Sequence, residues 1–285
     1  MALQMSRVSG GLRQHAPTMA YMIRNASLCN GHVVRPNMVY RVGAGPMPWF
    51  ASPSRPQLEA VVLASTAFGV KFFGHWLMDD MPLTLAARHL GEPISVLDHL
   101  SDHQRAYVTL MGTETRSLLN AQVKELVIID DVGQNSFKSQ RLEELRSRLL
   151  KRYPAAPSTK VMVLRKNTGK SRLLVNEMEI AERLAEQGFR ILSPLEVCAE
   201  ELVQACLGAQ VVVGVEGSHL THALACMPSG GTLITLQPPH RFDAVIKDWC
   251  DCRQIRFGFV VGQPVHDGGF VVSHDQIDRV LQRVA

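Results

Sequence analysis

Val211-Val-Val-Gly-Val-Glu-Gly-Ser-His-Leu-Thr-His-Ala-Leu224 reads as a buried strand, a tight turn and the beginning of a helix. Its β-branched apolar run, Val211 to Val213, breaks at Gly214 and Gly217. It resumes as Leu220, Ala223 and Leu224 at helical spacing. A turn of this kind aims backbone N–H groups and the positive end of a helix dipole at one spot, where an anion can sit. In a doubly wound sheet that spot lies at the carboxyl end of a strand, where ligands bind.

The alternation extends on both sides of this stretch. The pattern predicts strands over 160–164, 189–192, 211–215, 231–236 and 255–261, and helices over 176–187, 195–208, 218–226, 242–252 and 273–284. Strands alternating with helices of this length imply βαβ units and a parallel sheet. The first half repeats the theme, with strands over 58–64, 94–97 and 125–129 and helices over 74–90, 102–111 and 140–153. Pro82 falls near the middle of the first of these helices. Tyr153-Pro-Ala-Ala-Pro-Ser-Thr159 has the composition of a linker. The expected organisation is α/β, with two Rossmann-like domains, 1–155 and 156–285, facing across a ligand cleft. Residues 1–50 read as irregular, the first dozen as disordered.

Composition narrows the function classes. With 285 residues, 46% hydrophobic and 20% charged, the chain is long enough for two ordinary globular cores. A net charge of +4 with no long Lys/Arg block permits an anionic ligand and argues against a nucleic-acid partner. Arg7 and Arg13 interrupt the first twenty residues, so no signal peptide is read there. No apolar stretch approaches the roughly 18–20 residues of a membrane span, and the expected location is cytoplasmic. The six cysteines never form a CxxC pair, which predicts reduced thiols and no zinc site. The G-x-G-x-x-G dinucleotide fingerprint is absent, which weakens a dehydrogenase or epimerase reading.

Four segments in register resemble the family 61 glycosyltransferases: Phe73-Gly-His75-Trp76-Leu-Met-Asp79-Asp80-Met-Pro82, Arg165 after a strand, Arg172-Leu-Leu-Val-Asn176-Glu177, and the Gly-Val-Glu-Gly-Ser-His-Leu-Thr-His turn. That family includes bacterial capsular-polysaccharide transferases and the O-GlcNAc transferases of EGF domains. The resemblance covers about residues 58–262. It implies a GT-B fold, a nucleotide-sugar donor, a glycan or glycoconjugate acceptor, inversion at the anomeric carbon, and neither a metal nor another cofactor. The chain departs from the family at the turn, where Glu216-Gly217-Ser218-His219 and Leu220-Thr221-His222 stand in place of His-Gly-Ala-Gly and Leu-Thr-Asn.

Each motif has a chemical reading and a plainer one. Negative charge develops on a departing diphosphate, and without a metal it must be met by cations and preorganised N–H donors. Arg165 and Arg172 suit that role because a guanidinium offers phosphate a bidentate fork; Lys166 and Lys170 flank them in what is otherwise a solvated basic loop. The N–H groups of Gly217, Ser218 and His219 form the second element, or else Ser218 simply caps a helix. Glu216, repelled by a diphosphate, is assigned to a ribose or sugar hydroxyl, with His219 supplying the missing donor and Thr221 completing the donor set. His222 and the Gln237-Pro-Pro-His240 loop border the same cleft. The base that deprotonates the acceptor is placed on the first half. His75 and Asp79, four apart on one helix, share a face, and either the imidazole or the carboxylate is the base. The bland alternative is a surface ion pair. Asp80 is expected to face solvent or to cap, and Trp76 to stack on a sugar or fill the core. The competing functional reading is an inactive nucleotide-sugar-binding or scaffolding protein of the same fold.

Overall fold

The structure, a computed structural model, describes residues 6–8, 14–46, 55–155, 159–166 and 172–284. The chain divides into two compact units: Gln14–Arg148, and Leu149–Ala285 together with the residues before 14.

The first unit is built on a seven-stranded mixed sheet. Its strands are β1 (Met19–Cys29), β2 (His32–Arg35), β3 (Met38–Tyr40), β4 (Gln57–Leu63), β5 (Pro93–Ser95), β6 (Arg116–Ser117) and β7 (Ala121–Asp130), in the order β3-β2-β1-β7-β4-β5-β6. β7, β4, β5 and β6 run parallel, while β1, β2 and β3 extend the sheet antiparallel. The expectation of an irregular N-terminal stretch therefore fails for residues 19–40. β1 was masked by Asn25, whose left-handed φ of 53° gives the strand a turn-like signature, although pairing with β7 continues in one register on either side. The Asn30-Gly31 dipeptide joins β1 to β2 with both residues at positive φ, the geometry favoured in two-residue hairpins. The expectation of disorder falls on residues 1–12, most of which lie outside the described ones.

A continuous helix follows β4. It consists of Phe73–His75, a π-helical turn over Trp76–Asp80, and Met81–Arg88, together called α1 here. Pro82 has no N–H and its ring crowds the preceding turn. The extra residue of the π turn absorbs that mismatch, with Met81 N–H bonding Trp76 O. The consequence is local and chemical: both Asp79 and Asp80 lie in the widened turn. Helices α2 (Asp102–Met111) and α3 (Ser136–Arg152) complete the unit. Its core is the apolar face of the sheet, including Leu28, Val61, Leu63, Ile94, Val123 and Leu126.

The second unit carries a five-stranded, wholly parallel sheet: β8 (Thr159–Val163), β9 (Phe189–Leu192), β10 (Ala209–Val215), β11 (Thr232–Gln237) and β12 (Arg256–Val261). The order is β12-β11-β10-β8-β9, so the chain leaves β8 in one direction and returns to β10 on its other side. That reversal between β8 and β10 is a topological switch point, the crevice where doubly wound sheets bind ligands. Central β10 is apolar and buried on both faces, as a covered parallel strand should be. Helices α4 (Glu177–Glu186), α5 (Ala199–Cys206), α6 (Thr221–Cys226), α7 (Val245–Cys252) and α8 (His274–Leu281), with the short ribbon β13 (Gln263–Pro264) and β14 (Phe270–Val271), pack around it. Mixed and parallel α/β architecture is thus established for both units. All six cysteines are free thiols. No helix among the described residues is long and apolar enough to cross a membrane.

Candidate functional site

Strand register assembles the second unit's site. Val163 pairs with Gly214, and two further residues along each chain bring Arg165 level with Glu216. Val215 pairs with Leu236, so Gln237 stands level with Glu216 on the other side. Arg165, Glu216 and Gln237 thus share the carboxyl edge of the sheet at the switch point, and all three are buried. The Glu177 carboxylate at the start of α4 accepts from the backbone N–H groups of Arg165 at 2.7 Å and Lys166 at 2.9 Å, fixing the end of β8.

Two guanidinium groups converge on one carbonyl. Arg165 Nη1 donates to Glu216 O at 3.3 Å and Arg172 Nη1 donates to the same oxygen at 2.9 Å. Arg172 Nη1 also lies 2.8 Å from Glu216 Oε2, close enough for an ion pair but without hydrogen-bond alignment. The Arg172 Nε–H is buried with no acceptor among the described residues. Counting Arg165, Arg172 and Glu216, the charge at this edge is +1. Burial is the largest influence on each arginine and pulls its pKa below the ordinary guanidinium value, the nearby cations acting in the same direction. Burial also raises the Glu216 carboxyl above its usual range, against the opposing pull of Arg172.

Gly217 is required by this packing. A Cβ there would lie 1.9 Å from Arg165 Nη1 and 3.1 Å from Arg172 Nη1, and its φ of 155° disfavours a side chain. Gly217→Ala is therefore expected to displace both guanidiniums and to weaken anion binding more than it lowers Tm, measurable by titration and melting of the same sample. Beyond Gly217 the chain does not enter an α-helix directly. Ser218–Leu220 form a 3-10 turn, with Leu220 N–H donating to Gly217 O, and α6 follows. Ser218 does not act as the helix cap; the capping position is Gly217, with no side-chain bond. Thr221 is buried and its hydroxyl donates to Ser218 O at 2.6 Å.

His219 is buried beneath the arginines, its Nδ1 3.5 Å from Arg165 Nη1. Burial first, then Arg165, His222 and Arg172, hold its pKa well below 6.5, so it is neutral. A base whose folded pKa is depressed binds fewer protons folded than unfolded, so stability falls as pH drops below the unfolded value of 6.5. His219→Asn should therefore flatten the loss of stability between about pH 7 and 5 in urea unfolding. His222 is also buried, and Lys166 pairs with Glu196; Lys170 lies outside the described residues. Gln237 donates to Thr235 Oγ1 at 3.1 Å and Asp243 O at 3.4 Å, leaving its buried Oε1 without a partner among the described residues.

The first unit holds a second polar cluster, at the carboxyl ends of β4 and β7. His75 Nδ1 and Asp79 Oδ2 are 2.7 Å apart across one turn of α1. Lys138 of α3, fully buried, donates to Asp79 Oδ1 at 2.9 Å and lies 3.9 Å from Asp131. Asp131 in turn receives a two-pronged bond from Arg141, at 3.0 and 2.7 Å, which also donates to Pro82 O. The pair is thus one end of a buried chain of alternating charges rather than a surface bridge. Burial alone would raise the Asp79 carboxyl, but bonds from His75 and Lys138 outweigh it and hold the group ionised. The imidazole stacks on Phe68, centroids 5.1 Å apart.

Asp80, expected at the surface, is instead buried, because the π turn rotates it toward the sheet. Its Oδ1 accepts from Thr66 N–H at 3.0 Å and Thr66 Oγ1 at 2.7 Å, and its carboxyl packs on the Cα of Gly69. Burial pushes its pKa well above 3.8, and the nearby Asp79 adds to the shift. Trp76 is buried as well.

Most of the residues of these two clusters lie within the span recognised by comparison: the family described as Glycosyltransferase 61 matches residues 73–234, more than half of the 285. The chain belongs to the glycosyltransferase 61 family. It is accordingly a glycosyltransferase. A comparison with curated proteins gives no match.

The family span contains every residue proposed from sequence, from His75 to Thr221. Within each unit the structure brings the predicted residues together: His75 with Asp79, and Arg165 and Arg172 with Glu216, Gly217 and His219. Lys138, Asp131 and Arg141 of this glycosyltransferase escaped sequence reading. Lys138 sits in a strongly polar helix, where nothing in the spacing separates one fully buried lysine from its solvated neighbours.

Proposed function

We propose that this glycosyltransferase is an inverting, metal-independent enzyme of GT-B architecture that moves a sugar from a nucleotide-sugar donor to a glycan or glycoconjugate acceptor. In this reading it works in the cytoplasm in surface-polysaccharide or glycoconjugate assembly, with no nucleic-acid partner and no integral membrane segment. The observation that carries it is the convergence of Arg165 and Arg172 on the Glu216 carbonyl at the β8/β10 switch point. Two buried, fixed guanidiniums suit the charge that develops on a departing diphosphate and need no rearrangement when it appears. Arg172, whose Nε–H has no acceptor among the described residues, has a donor to give. Gly217, Ser218, His219 and Thr221 supply the adjoining turn, and Glu216, held by Arg172, accepts from a sugar or ribose hydroxyl.

The acceptor's proton goes to the His75/Asp79 pair. Asp79 is ionised and already bonded to His75 and Lys138, which makes it a weak base and a good orienter. His75 bonds Asp79 through Nδ1, the arrangement in which a carboxylate orients an imidazole that takes up a proton. Glu216 is the one feature that favours the alternative of a nucleotide-sugar-binding protein without turnover, because its carboxylate halves the cationic charge at the turn.

A thermal-shift series with UDP-, GDP- and CMP-sugars, followed by assay of donor hydrolysis, tests the proposal. One nucleotide class should raise Tm in a concentration-dependent way, by RT ln(1 + [L]/Kd) in free energy, and should be slowly hydrolysed. Binding without hydrolysis, with or without acceptors, would leave the binding-only reading. No shift with any donor would remove both.

A further inference from the structure

The geometry points to a monosaccharide subsite inside the first unit, in a cavity of about 190 Å³ at the carboxyl ends of β4, β5 and β6. It is walled by Ala64 after β4, Ser95 of β5, Ser117 of β6 and the inner side of α1, so it occupies the edge of a parallel sheet where ligands bind. The inference rests on the transferase reading for its meaning, since a sugar held here is part of the acceptor.

The lining selects the ligand's chemistry. Five hydroxyl-bearing residues line the cavity, together with Asp80, Asp98 and Trp76. No lysine or arginine lines it. A phosphate or carboxylate ligand would meet two carboxyl-bearing residues and no cation there, whereas a neutral polyol meets hydroxyl donors and acceptors on several sides. An aromatic wall suits the C–H face of a pyranose ring. The volume fits one such ring and falls below the roughly 300 Å³ at which drug-sized pockets begin.

Two buried polar atoms in the wall are poorly served by the protein. The hydroxyl of Thr113 directs its proton at the thioether of Met81, 3.3 Å away, an acceptor much weaker than oxygen. Asp80 Oδ2 has no hydrogen-bond partner among the described residues. A ligand hydroxyl is a better acceptor for Thr113 than sulfur is. His75 and Asp79 belong to the same turn of α1 as the cavity-lining Trp76 and Asp80, so the turn that holds the sugar also holds the proposed base.

The full-length protein can be titrated with the methyl glycosides of glucose, galactose, mannose, xylose and N-acetylglucosamine by saturation-transfer NMR, with UDP, GDP and CMP titrated in parallel. At least one neutral glycoside should bind saturably, with glucuronate weaker. Thr113→Val should raise its Kd about tenfold, the loss of one hydrogen bond. Thr115→Trp, which fills the cavity, should abolish it, and both variants should keep the wild-type nucleotide affinity. Absence of saturation by every glycoside, tighter binding of glucuronate, or unchanged affinity in Thr113→Val would overturn the subsite. If Thr115→Trp does not fold, Thr113→Val decides alone. Glycoside binding without nucleotide binding would leave the subsite standing and remove the transferase reading; the reverse result would remove the subsite only.

Discussion

His75→Ala lowers kcat by about 10²- to 10⁴-fold while leaving nucleotide affinity at the wild-type value, the range expected when a positioned base is removed. The hydrogen bond between His75 Nδ1 and Asp79 at 2.7 Å orients the ring for proton uptake. Asp79→Asn should cost a comparable factor, because an amide can present the wrong partner to Nδ1 and no longer stabilises the imidazolium that forms. The two residues act as a unit, so the double variant should be little worse than the worse single one. Steady-state transfer rates for the four proteins, with donor titrations on each, check this. Multiplicative losses would mean that the two groups work separately, and retained activity in His75→Ala would place the base elsewhere.

Lys138→Met should be the most destabilising single change in the first unit. Lys138 is fully buried between Asp79 at 2.9 Å and Asp131 at 3.9 Å. Its removal takes the lysine cation from buried Asp79, which keeps its bond to His75, and breaking a buried ion pair costs about 3–5 kcal/mol in comparable cases. The cost has a pH signature. Asp79 is held below its ordinary 3.8, so its ionised form contributes stability above that value and loses it as pH falls further. The gap between wild type and Lys138→Met in denaturant unfolding should therefore be wide at neutral pH and close below about pH 4. A gap that does not change with pH would show that packing, not charge, is what Lys138 supplies.

The sequence carried most of the second unit. Its strands announce themselves as short β-branched runs buried on both faces, and the 189–192 strand and the glycine-broken end of β10 are where the pattern put them. The meeting of Arg165 with Glu216 follows from register once β8 and β10 are neighbours, but strand order is a tertiary fact that no local pattern encodes. β1 to β3 were lost because Asn25 mimics a turn and because the strand leaves much of one face exposed, which blurs its alternation. An Asn30-Gly31 hairpin signal was present and would have recovered two of the strands. Asp80 was misplaced for a different reason: a wheel drawn at 100° per residue fails across the π turn that Pro82 imposes. At the second unit's edge, Glu216 was read as ligand-facing, and its ion pair with Arg172, 44 positions away in sequence, became visible only in the folded chain.

The central claim is that the arginines at the β8/β10 edge hold a nucleotide diphosphate. Isothermal titration of the best-binding nucleotide sugar into wild type and Arg165→Ala, each first shown to melt at the same temperature without ligand, tests it most directly. Loss of a charge-assisted bond of about 1.5–3 kcal/mol should raise Kd about 10- to 150-fold, with Arg165→Lys in between. An Arg165→Ala protein that binds the nucleotide sugar as tightly as wild type would contradict the assignment.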